Sequence, residues 1–189
     1  MIQSHLLTTE PSTVQFAGST WPLIFDFWAI RKLGQRYAPE DTSLDWLREL
    51  MAKVAAGDID AMCGCIWAGM LRENPSLTFD DVLALLDEAS FSDLVALPEQ
   101  ILAAMQDAYG IPREAGGNGG PWDWEVALAT WVKEWGRSEA EFWRATFRTF
   151  TSISNGLAKL YEKASQGGAS TRAPAEGYSL FDLLSLRGR

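Results

Sequence analysis

The spacing of apolar positions changes along this chain, and the changes mark its elements. Val14 and Phe16 alternate with polar neighbours, and a second apolar piece, Trp21-Pro-Leu-Ile-Phe25, follows Ala17-Gly-Ser-Thr20. Two such pieces around turn residues predict a β-hairpin, with Pro22 confining the second strand to an edge or to its first residues. From Asp26 the period becomes helical. Asp26 is a suitable cap for a helix to about Tyr37, with Phe27, Ile30, Gly34 and Tyr37 on one face and Ala38-Pro39 as its stop. A second helix starts near 41–43, turns Leu44, Leu47, Leu50, Met51 and Val54 inward, and ends at Gly57. Asp58 caps a third, lined by Ile59, Met62, Cys63, Ile66, Trp67 and Met70 and closed by Asn74-Pro75. Thr78-Phe-Asp-Asp81 has the form of a capping box, which opens a fourth helix carrying Val82, Leu85, Leu86 and Ala89. Pro98 suits the first turn of a fifth, with Ile101, Leu102, Met105 and Tyr109, ended by Gly110-Ile-Pro112.

After residue 110 the pattern changes character. Residues 111–121 contain Gly116-Gly-Asn-Gly-Gly120 and read as a flexible linker. Five of the nine tryptophans follow, at Trp122, Trp124, Trp131, Trp135 and Trp143. Asp123 can cap a helix in which Trp124, Leu128, Trp131 and Trp135 form one stripe, ended by Gly136. Ser138-Glu-Ala-Glu141 is a second capping box, and Trp143, Phe147 and Phe150 repeat the stripe, with Phe142 alongside and Arg144 and Arg148 beside it. This predicts a helical hairpin over 122–165, whose second helix continues through Leu157 and Leu160 with Gly156 as a weak point. Residues 1–12 read as disordered, and 166–189 as a flexible tail ending in the short apolar piece Tyr178–Arg187. The expected fold is mainly α (α+β): an N-terminal hairpin and five-helix module over 13–110, the linker, and the Trp-rich arm.

An arm this small sits near or below the size that folds alone, so its rings need a surface. Either a partner or the chain's own N-terminal module could supply it. Trp122, Trp124, Trp131, Trp135, Phe142, Trp143, Phe147 and Phe150 are the candidate partner-binding residues.

Charge sharpens this picture. Residues 1–115 hold 7 Lys+Arg against 17 Asp+Glu, a net of −10, whereas 116–189 hold 9 against 8, a net of +1. The acidic front half disfavours nucleic acid, which draws its affinity from phosphate neutralisation, and suits either a basic partner or a solubilising surface. No apolar run approaches the length of a membrane span. The opening residues lack a basic stretch ahead of an apolar run, so no signal peptide is expected.

Candidate chemistry is sparse. His5 is the one histidine, and any Ser-His or Cys-His pair would have to use it. Phosphate-cradling glycine motifs do not occur. Cys63 and Cys65 lie two apart within a helical pattern and read as core thiols, not as a disulfide or zinc pair, which fits a reducing cytoplasm. Asp58 with Asp60, and Asp80 with Asp81, stand at helix starts where capping explains them without a cation. No catalytic residue, metal or cofactor is expected.

The order of features resembles a known family. A hairpin leads into Phe25-Asp-Phe-Trp-Ala-Ile-Arg-Lys-Leu33, followed by Asp60-Ala-Met-Cys-Gly-Cys-Ile-Trp-Ala-Gly-Met70 and Asn74-Pro-Ser-Leu-Thr-Phe-Asp-Asp-Val-Leu-Ala-Leu-Leu-Asp87. This resembles the N-terminal module of tail assembly chaperones from long-tailed bacteriophages. Ser138-Glu-Ala-Glu-Phe-Trp-Arg-Ala-Thr-Phe-Arg148 is similar to their downstream segment, which programmed ribosomal frameshifting commonly adds. The resemblance spans roughly residues 13–150 and rests on diffuse helical patterns. It implies a non-enzymatic protein of the host cytoplasm, absent from the mature virion, that binds the tape-measure protein, keeps it soluble and helps recruit tail-tube subunits. Self-association is a further partner class. Two other function classes remain open at this point: an adaptor or regulator that binds one globular host partner through the Trp-rich arm, and a small helical enzyme with a carboxylate site.

Overall fold

The computed structural model describes residues 11–40, 44–109 and 122–167. The linker at 111–121, the Gly110-Ile-Pro112 stop, and nearly all of the N-terminal piece and the tail lie outside the described residues. The architecture is mainly helical behind an N-terminal antiparallel hairpin, as the periodicity predicts. Strand β1 (Ser12–Phe16) pairs with β2 (Ser19–Leu23) in the register Phe16↔Ser19 to Ser12↔Leu23. Ala17 and Gly18 form the two-residue loop with φ of 50° and 69°. Left-handed backbone at both positions matches the twist of the strands. Val14, Phe16 and Leu23 face the core.

Helix α1 (Phe27–Tyr37) starts where expected, because the Asp26 carboxylate accepts the Ala29 amide at 2.9 Å. It buries Phe27, Ala29, Ile30 and Leu33. Gly34 admits the edge of Trp46 from α2 (Asp45–Ala55), since a Cβ there would lie 3.2 Å from that ring. Trp46 is thus an inward residue that the aliphatic pattern of α2 did not reveal. Helix α3 (Ile59–Met70) is the centre: Ala61–Ile66 and Ala68–Met70 are all buried, and it touches β2, α1, α2, α4 and α5. A helix apolar all round belongs inside. Ile59, expected inward, is 46% exposed because it precedes the point where α3 enters the core. Gly64 is required on α3 because the Tyr37 phenol lies where its Cβ would be, donating to the Asp60 carbonyl at 2.7 Å.

The Thr78/Asp81 capping box opens α4 (Phe79–Asp87). Helix α5 (Phe91–Tyr109) corrects one expectation: Pro98 sits inside it, not in its first turn. Ser90 and Asp93 form an earlier box, with Asp93 N donating to Ser90 Oγ at 3.2 Å and Ser90 N to the Asp93 carboxylate at 3.1 Å. The helix therefore starts well before the proline. Burial of Leu97, Ile101, Ala104 and Met105 carries it through a residue that removes one backbone bond.

The downstream segment has more pieces than the two-helix hairpin expected. Helix α6 (Trp124–Ala129) widens into a π turn at Thr130–Glu134, then come α7 (Glu139–Trp143) and α8 (Phe147–Gly167). The second helix of the expected hairpin is broken at 144–146. There the Ala145 carbonyl leaves the helix to accept the Phe27 amide at 2.8 Å. Among the described residues no helix is long and apolar enough to cross a membrane.

Candidate interaction surface

Phe27 is the hub of the downstream segment. It is fully buried, and five of the eight candidate rings surround it: Phe142 and Phe147 at 4.8 Å, Trp124 at 5.4 Å, Trp122 at 5.7 Å and Phe150 at 5.8 Å between centroids. Trp131 stacks on Phe150 at 6.2 Å, and Trp135 meets Phe150 at 4.8 Å. Trp143 packs on Phe142 at 5.0 Å. Edge-to-face and tilted pairs at these distances are the arrangement the ring quadrupole favours.

The sequence left the cover of these eight rings open between a partner and the chain's own N-terminal module. Trp131, Phe142, Phe147 and Phe150 are buried, and Trp122, Trp124, Trp135 and Trp143 are half-buried against them. Two local devices turn them inward. The π turn adds a residue between Trp124 and Trp135, so an ideal α spacing no longer holds. The Trp131 indole then donates to the Ser138 carbonyl at 3.1 Å, tying α6 to the capping box of α7. Thr146 restarts the chain as α8, its hydroxyl accepting the Thr149 amide at 3.2 Å.

The joint has one unusual charge. Asp26 is 2% exposed, with Arg72 at 3.9 Å. Burial pushes its carboxyl up to about 6, against the pull of the Ala29 amide and of Arg72. The cap therefore titrates near neutrality at the point where hairpin, α1, α3 and the Ala145 carbonyl meet. Arg148 ties α8 to α5 through Asp107 at 3.7 Å. Arg144 borders a shallow cleft with Trp131, Arg137, Glu141, Ala145 and Thr149.

The candidate carboxylates Asp58, Asp60 and Asp81 have structural partners. Asp58 caps α3 through the Ala61 amide at 2.9 Å, Asp60 pairs with Arg36 at 2.9 Å, and Asp81 closes the box of α4. Cys63 and Cys65 are buried free thiols. Burial pushes Cys63 up to about 12 and raises Cys65 as well, which suppresses the reactive thiolate. His5 lies outside the described residues.

The helical pattern alone did not single out the outer face of α1. Trp28 is 41% exposed beside the fully buried Phe27. Its ring meets Trp143 edge-on at 6.4 Å, Lys32 lies 4.8 Å over Trp28, and Arg31 lies 4.8 Å over Trp143. The available signal was a tryptophan placed off the apolar stripe, at helical spacing from two cations. No protein-family model, curated protein or solved structure matches this chain.

Proposed function

We propose that this chain is a tail assembly chaperone of a long-tailed bacteriophage. In this reading it binds the tape-measure protein, a long helical rod, keeps it soluble in the host cytoplasm, helps recruit tail-tube subunits, and is absent from the finished virion. The observation that carries the reading is the meeting at Phe27. Phe27 belongs to the upstream stretch that resembles the family, and Phe142 and Phe147 belong to the downstream one. That the two stretches share one aromatic core supports a single working unit. The acidic surface, at a net charge of −9, suits a protein that must keep an aggregating partner in solution.

The test is co-expression with the longest predicted coiled-coil protein encoded beside it, followed by size-exclusion chromatography with mass measurement. Many copies of this chain co-eluting with a rod that is insoluble alone is the expected result. A rod that ignores this chain removes the reading. One copy on one globular protein points instead to an adaptor.

A further inference from the structure

We propose that the outer face of α1, together with Trp143, is a docking surface for an acidic amphipathic helix of a partner protein. Trp28, Arg31, Lys32 and Gln35 follow one another at i, i+3, i+4 and i+7 along α1, so they share one side of it. Trp28 and Arg31 are exposed, and Lys32 and Trp143 are half-exposed. The two indoles form an apolar floor, and each has a cation over its face.

The charge on this floor is what selects the occupant. Arg36, Arg72, Arg137 and Arg148 each face a carboxylate. Arg31 and Lys32 face rings, and among the described residues neither has a carboxylate within ion-pair distance. A carboxylate at the patch, that of Glu139, accepts the Trp143 indole at 3.1 Å. On a chain with 25 acidic and 16 basic residues, this is a locally positive aromatic patch. Tryptophan and arginine are the usual anchors of interfaces. A helix with an apolar stripe flanked by carboxylates matches both the floor and the charge. Only its helical form rests on the chaperone reading. Another exposed apolar pair among the described residues, Phe91 at 82% and Val95 at 64%, lies on α5 near Asp87 and Glu88. That patch has the wrong charge for the same occupant.

The experiment titrates the full chain with two synthetic peptides of about 20 residues, long enough to hold a helix. Both carry one leucine stripe; glutamates flank it in one and lysines in the other. Indole N–H resonances, assigned with Trp28→Phe and Trp143→Phe, report the site. The glutamate peptide is expected to bind on the order of tenfold tighter, more weakly as salt rises, and to move Trp28 and Trp143. The double variant Arg31→Glu with Lys32→Glu should reverse the preference while leaving the far-ultraviolet circular dichroism unchanged. Equal affinities, no binding, or shifts confined to other indoles overturn the proposal. So does self-association of the full chain that the charge reversal abolishes, because a second copy is then the occupant. A chain that takes the glutamate peptide but ignores the long rod keeps this surface and loses the chaperone reading.

Discussion

The core around α3 and the aromatic shell around Phe27 are built by opposite means. From Ala61 on, helix α3 is buried on nearly every side, mostly through small and unbranched or aliphatic side chains, and is gripped by one strand and four helices. The shell has short helical pieces, a π turn and a break, and five of its eight rings converge on one residue at the start of α1. Many independent contacts hold the first, whereas a few large side chains sharing one hub hold the second. Stability need not be uniform across such a molecule. The shell should open before the α3 core does.

The largest expected effect follows from that difference. Phe27→Ala should cost about 3–5 kcal/mol, the usual range for a buried aromatic. Limited proteolysis should then cut first between 122 and 150, with α2–α5 still resistant. Ile66→Ala, on the fully buried face of α3, should cost about 2–5 kcal/mol. There the whole chain should melt in one transition. If both variants lose the two regions together, the contrast between them is broken.

Acidity sharpens the comparison through Asp26. Its folded pKa of about 6 lies above the unfolded value of 3.8, so the folded state binds the proton more tightly. Its contribution therefore rises as pH falls from 7 through about 6 and is complete below 3.8. Asp81 and Glu141, held low by the hydroxyls and amides of Thr78 and Ser138, work in the opposite direction at more acid pH. Asp26→Asn keeps an acceptor for the Ala29 amide and removes the charge. It should be more stable than the parent at pH 7, on the order of 2–3 kcal/mol. The difference should shrink to near zero at pH 4. Denaturant titrations at the two pH values, parent against variant, cancel the other carboxylates.

Smaller effects probe the shell's edges. Ser138→Ala removes a capping box and should cost about 1 kcal/mol, read as a lower midpoint for the loss of near-ultraviolet circular dichroism. Tyr109 stacks on Phe147 at 5.1 Å, and its buried hydroxyl has no partner among the described residues. Tyr109→Phe should therefore be neutral or stabilising by up to about 1 kcal/mol in thermal melts.

The sequence showed what is decided locally. The hairpin loop, the caps at Asp26, Asp58 and Asp123, the boxes at Thr78 and Ser138, and the stop at Gly136 were legible because each needs only its near neighbours. The path of α5 through Pro98 was not legible, since burial against distant elements outweighs the lost bond. Nor was the break at 144–146, which exists because the Ala145 carbonyl serves an amide more than a hundred residues away in sequence, that of Phe27. The aromatic stripe was visible as composition and spacing. The sequence could not say which side of it would be covered. The same limit hid Trp28, whose neighbour Phe27 takes the opposite environment.

The most direct test of the central claim, that the downstream rings are packed on the chain's own α1, is native-state hydrogen exchange on the full chain. The account predicts strong protection of the Phe27 amide and of the helical amides between 126 and 155. In Phe27→Ala that protection should be lost while α3 keeps its own. If 126–155 exchanges at unprotected rates in the parent chain, the segment is a free arm, and the core described around Phe27 does not exist in solution.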